Sequence, residues 1–185
     1  EMSKNPQIKM IEIKISQGAK PGHGGMLLAP KVTPEIAEAR GIEPYKDCVS
    51  PSSHSEFSTP RELLKFVEKL RSLSGGKPVG IKLCIGHQWE FAAIAKAMVE
   101  TGMVVDFVTV DGAEGGTGAA PAEFTDHLGR PLRDALVYVD NTLKGASLRD
   151  RVKIAASGKI VSGYDVVRHI ALGADWCNMA RPFMF

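Results

Sequence analysis

Residues 152–173 read VKIAASGKIVSGYDVVRHIALG, and the way this stretch divides decides the fold class. Val152 to Ser157 is a short apolar run of strand length, whereas Tyr164 to Leu172 carries its apolar residues at a helical period and stops at Gly173. Between them, Gly158-Lys159-Ile160-Val161-Ser162-Gly163 makes the turn, and Ser162 followed three residues later by Asp165 is an N-cap signal. A strand, a glycine-bearing turn and a helix in that order form the repeating unit of a parallel sheet.

The same unit recurs on either side. Strands are expected at Ile11 to Ile15, Val79 to Cys84, Phe107 to Val110 and Trp176 to Ala180, with a shorter one around Cys48 to Ser50. Thr59-Pro60-Arg61-Glu62 is a capping box with proline at the first helical position, and Leu63, Leu64, Val67, Leu70 and Leu73 follow until Gly75-Gly76. Further helices are expected over Glu90 to Thr101 and Pro131 to Lys144, with a short one from Thr33-Pro34-Glu35 to Arg40. Such alternation builds a parallel sheet, either open and doubly wound or closed as a (β/α) barrel. Five or six strands fall short of the eight of a barrel, which takes about 250 residues, so the chain reads as part of a larger domain.

Composition sets outer bounds. The 185 residues are 44% hydrophobic and 24% charged, a globular balance with room for a core. Lysine plus arginine number 23 against 21 aspartate plus glutamate, so no basic excess favours nucleic acid or an anionic membrane. Cys48, Cys84 and Cys177 are widely spaced, without zinc-site spacing, and read as free thiols of a reducing compartment. No apolar segment is long enough to cross a bilayer and no secretory signal is present, so the expected location is cytoplasmic.

Sites in parallel folds sit on the loops that follow the strands. After the first strand, Ser16-Gln17-Gly18-Ala19-Lys20-Pro21-Gly22-His23-Gly24-Gly25 combines a glycine-shaped backbone with one cation, Lys20. Arg40, ending the next helix, offers a fork that suits a carboxylate. Lys82 interrupts an apolar strand and needs either an anionic neighbour or an edge position from which it reaches water. Asp111-Gly112-Ala113-Glu114-Gly115-Gly116-Thr117-Gly118 supplies amides in a concave run, without the ending of a Walker A loop or the spacing of a dinucleotide fingerprint. Ser157-Gly158-Lys159 and Ala180-Arg181 follow the last two strands, where barrels commonly bind phosphate.

Taken together, Glu12-Ile13-Lys14-Ile15-Ser16-Gln17-Gly18-Ala19-Lys20-Pro21-Gly22, Lys31-Val32-Thr33-Pro34-Glu35-Ile36-Ala37, Ser50-Pro51-Ser52-Ser53-His54, Asp111 through Ala119 and Gly158-Lys159-Ile160 resemble the FMN-binding domain of the glutamate synthase family. The motifs occur in order over nearly the whole chain. The resemblance implies an α/β fold of (β/α)8 TIM-barrel type, incomplete here, with residues 1–185 forming one partial FMN-binding domain. It implies FMN as cofactor and an oxidoreductase reaction: reductive amination of 2-oxoglutarate with ammonia, through 2-iminoglutarate, to L-glutamate. By position, Gln17 and Lys20 are the implied catalytic and substrate contacts and Arg40 the implied substrate-carboxylate clamp. Lys82 is implied at the N1/O2 edge of the flavin. Asp111, Gly112, Gly115, Gly116, Thr117 and Gly118 are implied against the flavin or its ribityl chain. Ser157, Gly158, Lys159, Ala180 and Arg181 are implied at its phosphate. An electron-donor protein or subunit is an expected partner.

Two departures qualify what transfers. Met26 stands where the large synthases commonly carry a glutamine, so one polar substrate contact is missing. The family's cysteine segment for a 3Fe-4S cluster follows the last strand, where this sequence ends, and Cys177 within that strand is not expected to ligate a cluster. Two other readings stay open. A 2-hydroxyacid oxidase-like FMN barrel requires a histidine base, and His23, His54 and His127 all read as solvated. A flavin-binding subunit or fragment without turnover is the other.

Overall fold

The structure, a computed structural model, describes residues 5–116 and 120–184. In chain order it forms β1 (Ile11–Lys14), β2 (Met26–Leu27), α1 (Pro34–Arg40), β3 (Cys48–Val49), α2 (Pro60–Leu73), β4 (Val79–Leu83), α3 (Gln88–Thr101), β5 (Phe107–Asp111), α4 (Leu132–Gly145), β6 (Lys153–Ser157), α5 (Gly163–Ala171) and β7 (Trp176–Asn178). The expected capping box at Thr59 and the expected N-cap at Ser162 are both present. Thr59 Oγ1 accepts from Glu62 N at 3.2 Å, and Ser162 Oγ accepts from Asp165 N at 3.1 Å.

Five strands make a parallel sheet in the order β1-β4-β5-β6-β7. Each new strand is added beside the previous one, and order never reverses. Right-handed crossovers then place the helices on one face, which is the wall of a (β/α) barrel rather than a doubly wound sheet. Among the described residues the wall is not closed, since β1 pairs only with β4 and β7 only with β6. The short strand expected near Cys48 is not part of it. β3 pairs antiparallel with β2, a strand the sequence did not announce, in a separate two-stranded sheet.

Alternation along the strands sorts the two faces. Ile13, Val79, Ile81, Leu83, Val108, Val110 and Ile154 are buried with Leu64, Val67, Phe91, Met98, Leu136 and Val139 of the covering helices. The opposite face carries Glu12, Lys14, Lys82, Thr109, Asp111, Ser157 and Asn178, aligned by the register Lys14↔Lys82, Lys82↔Thr109, Asp111↔Ser157 and Ser157↔Asn178. Phe107 fills the space over Gly80, where a Cβ would lie 2.4 Å from its ring. Polar residues therefore gather toward the C-terminal strand ends, with apolar ones below. Among the described residues no helix is long and apolar enough to cross a membrane.

One ion-pair network locks the last two units together. The buried carboxylate of Asp140 in α4 accepts from Lys144 Nζ at 2.6 Å and Arg149 Nε at 2.8 Å. Arg149 also donates to the carbonyls of Val152 and Gly173 and to Asp175. Burial opposes ionisation of Asp140, but the bonds from Lys144 and Arg149 outweigh it and hold the carboxyl below its ordinary value of 3.8. A depressed carboxyl contributes stability above its unfolded pKa and loses it as pH falls through the folded one. Asp140→Asn should cost about 1.5–3 kcal/mol at neutral pH. In urea titrations its deficit against the parent chain should close as pH is lowered below 3.8; a deficit that persists in acid would show that the charge is not responsible.

Candidate cofactor and substrate site

The glycine loops after β1 and β5 interlock at the C-terminal end of the sheet. Gly18 N–H donates to Asp111 Oδ2 at 2.9 Å, and a Cβ on Gly18 would lie 1.8 Å from the Gly112 carbonyl oxygen. Only glycine permits that approach. Gly112 N–H continues toward β6 by donating to the Ser157 carbonyl at 2.9 Å, and Gly115 N–H closes the turn onto Gly112 O at 2.8 Å. Both oxygens of Glu114 lie 3.0 Å from Leu132 N, capping the start of α4 where backbone donors lack intrahelical partners. The two acids of this loop thus hold the loop itself in place.

Lys82 lies on β4, an interior strand, with its ammonium 3.6 Å from Asp111 Oδ2 and its side chain 23% exposed. The anionic neighbour, not an edge position, is what the structure provides. A cavity of about 170 Å³ opens beside this pair. Its walls collect Gln17, Lys82, Asp111, Gly115, Gly116, Ser157, Gly158, Lys159, Ala180 and Arg181, residues from the ends of all five parallel strands. Gly112 is not among the lining residues, while Thr117 and Gly118 lie outside the described residues.

Asn178, Ile160 and Val161 complete the cavity and are not among the site residues expected from the sequence, although Ile160 belongs to one of its motifs. Asn178 had a legible signal, being the polar residue two places after Trp176 in the last strand. Gly158 and Lys159 both take positive φ, +132° and +46°. Among the described residues, nothing accepts from the amides of Gly158 and Lys159. Arg181 extends over Gly116, where a Cβ would meet its Nη2 at 2.2 Å.

A second cavity, of about 220 Å³, adjoins the first through Gln17 and is lined also by Lys14, Lys20, His23 and Ser50 to Ser52. Lys20 is only 9% exposed, and among the described residues it has no acidic partner. Lys14 Nζ donates to Gln17 Oε1 at 3.0 Å. Partial burial, then the ammonium groups of Lys82 and Lys20, push Lys14 below the ordinary lysine range, with Asp111 opposing. The pattern Ile11, Ile13, Ile15 already assigned Lys14 to the opposite face, a signal the motif reading passed over. His23 meets Phe124 edge-on at 5.6 Å, and His54 and His127 are exposed.

Arg40 is placed elsewhere. It ends α1 on an exposed turn and lines neither cavity. A wider recess of about 650 Å³ lies between residues 51–60 and α3, lined mainly by serines and apolar groups, and none of the glycine loops reaches it. The Cys84 thiol, below the second loop, is pushed up to about 12, mainly by burial and then by Asp111, which removes it from nucleophilic chemistry at neutral pH. Among the described residues no cluster of histidine, cysteine and carboxylate side chains could hold a metal ion.

Residues 4–185 match the conserved region in glutamate synthase. The chain belongs to the glutamate synthase family. The glutamate synthase large subunit-like protein YerD of Bacillus subtilis (strain 168) is 46% identical over 99% of this chain and 34% of its own. The archaeal glutamate synthase (NADPH) of Methanocaldococcus jannaschii is 42% identical over 89% of this chain and 32% of its own. The chain therefore spans about a third of the length of these curated relatives. Among solved structures, a flavocytochrome b2 with sulfite bound superposes at a TM-score of 0.54 and 17% identity, covering 99% of this chain and 38% of that one. At that identity the likeness extends to the fold: this glutamate synthase region has the architecture of a barrel wall, as its strand order requires.

Proposed function

We propose that the two adjoining cavities form the cofactor and substrate sites of a glutamate synthase-type, FMN-dependent reductive amination. The observation that carries this reading is the convergence, from five strand ends, of Lys82, Arg181 and glycine-loop amides without an acceptor among the described residues on one small cavity. About 170 Å³ is modest beside the roughly 300–1,000 Å³ of whole small-molecule sites. It suits the phosphate end and polar edge of a flavin nucleotide rather than all of it. The fit is chemical as well, because a missing Cβ at Gly116 leaves Arg181 room, and the Gly158 and Lys159 amides have donors to give.

Arg181 and those amides would hold the phosphate, and Lys82 would face the N1/O2 edge, where a fixed cation stabilises the charge of the reduced ring. When bound, FMN supplies hydride transfer. The remaining work belongs to this chain's own side chains. Ammonia and 2-oxoglutarate condense with loss of water, and addition of a hydride and a proton to the resulting imine gives L-glutamate. Lys20 and Lys14 would hold carboxylate charge in the second cavity. With its oxygen engaged by Lys14, Gln17 keeps its amide N–H groups for the substrate. Arg40 has no part in this scheme, being outside both cavities.

The purified full chain should bind FMN, bleach with dithionite and reoxidise with 2-oxoglutarate plus ammonium. FMN binding without reoxidation would leave a flavin-binding protein and remove the synthase assignment; no FMN binding would remove both. A sharper test compares FMN with riboflavin, which lacks the phosphate. Arg181→Ala should weaken FMN by about 1.5–3 kcal/mol, roughly 10- to 150-fold, and leave riboflavin affinity unchanged. Equal loss for both ligands would take Arg181 away from the phosphate.

A further inference from the structure

We infer that Asp111 is a positioning residue: its carboxylate fixes the Lys82 charge and latches the first glycine loop. This rests on the reading of the cavity as a flavin site. Asp111 ends an interior strand and is 4% exposed. Its Oδ2 is taken by Gly18 N–H at 2.9 Å and lies 3.6 Å from Lys82 Nζ. A Cβ added to Gly115 would come within 3.1 Å of its Oδ1, so the second glycine loop passes close over the carboxylate.

Oδ2 is thus engaged by protein groups on two neighbouring elements, and a carboxylate presented to a phosphate or to a reduced flavin would repel it. What Asp111 does instead has two separable parts. As an acceptor it satisfies a buried N–H and keeps the loop of Gln17 and Lys20 on the loop of Gly112. As an anion it restrains Lys82 and moderates the positive charge offered to the ring.

The two parts answer to different substitutions. Asp111→Asn keeps an acceptor and deletes the charge, whereas Asp111→Ala deletes both. Hydrogen exchange at the Gly18 amide, read without any flavin, should match the parent in Asp111→Asn and be accelerated about 100-fold in Asp111→Ala. With FMN bound, Asp111→Asn should favour the reduced form about tenfold, ~30 mV for a two-electron couple. Lys82→Met should shift it the opposite way. In the Lys82→Met background, Asp111→Asn should then change little, because the effect runs through the lysine.

Unaltered Gly18 exchange in Asp111→Ala overturns the latch. An Asp111→Asn shift of the same size with or without Lys82 overturns the positioning role and makes Asp111 a direct influence on the ring. Should the parent chain bind no FMN, the flavin reading fails while the exchange experiment still decides the latch. Should Asp111→Ala not fold, the Asp111→Asn and Lys82→Met pair decides alone.

Discussion

Lys20→Met is expected to stabilise the ligand-free chain and, on the proposed function, to weaken 2-oxoglutarate binding sharply. Lys20 is 9% exposed, lines the second cavity, and has no acidic partner among the described residues. An ammonium held there without an anion carries desolvation that folding must offset. Methionine keeps the stem's length and apolar packing and deletes the charge. A gain of about 1 kcal/mol or more in urea unfolding is expected. Binding should respond with the opposite sign. Losing the charged partner of a buried carboxylate typically costs about 2–5 kcal/mol, some 30-fold or more in apparent affinity. Reoxidation of the reduced flavin at varied 2-oxoglutarate measures it. A variant that is less stable yet saturates normally would make Lys20 a structural lysine.

The second large effect is expected at Gly18. A Cβ there would sit 1.8 Å from Gly112 O and 2.6 Å from Gly112 C, both backbone atoms that cannot rotate aside. Gly18→Ala must therefore part the two loops, which breaks the Gly18–Asp111 bond and withdraws Gln17 and Lys20 from Lys82. The cost should reach the upper end of the ~1–3 kcal/mol usual for overpacking, or exceed it, and flavin and 2-oxoglutarate binding should fall together. Gly22 is the internal control. It has φ +71° and open space where a Cβ would stand, with nothing within 4 Å, so Gly22→Ala should cost only left-handed strain, about 1–2 kcal/mol. Similar losses at the two sites would mean that loop flexibility, not the close approach, is what matters.

Much of the fold was legible because it is written in neighbouring residues. Thr59 with Glu62 and Ser162 with Asp165 announce helix starts through bonds that span three positions. The strands were recognisable from runs such as Val79 to Cys84, and their alternation with helices fixed a parallel sheet. The site was partly legible for the same reason, since glycines, lysines and Arg181 stand just after those runs. Met26–Leu27 escaped notice because two residues make no period, and their pairing with Cys48–Val49 exists only across the intervening loop. Arg40 looked suitable by chemistry, but α1 turns it outward.

The sequence by itself determined the types of the main elements, through local steric preferences and hydrophobic period, and its motifs carried the family resemblance. Tertiary structure alone decided which strand ends meet: that Gly18 would bond a carboxylate 93 residues away, that Lys82 would lie between β1 and β5, and that Gln17 would wall two cavities at once. Those outcomes follow from strand order and register, which are set by burial summed over the whole sheet and cannot be read from any one segment.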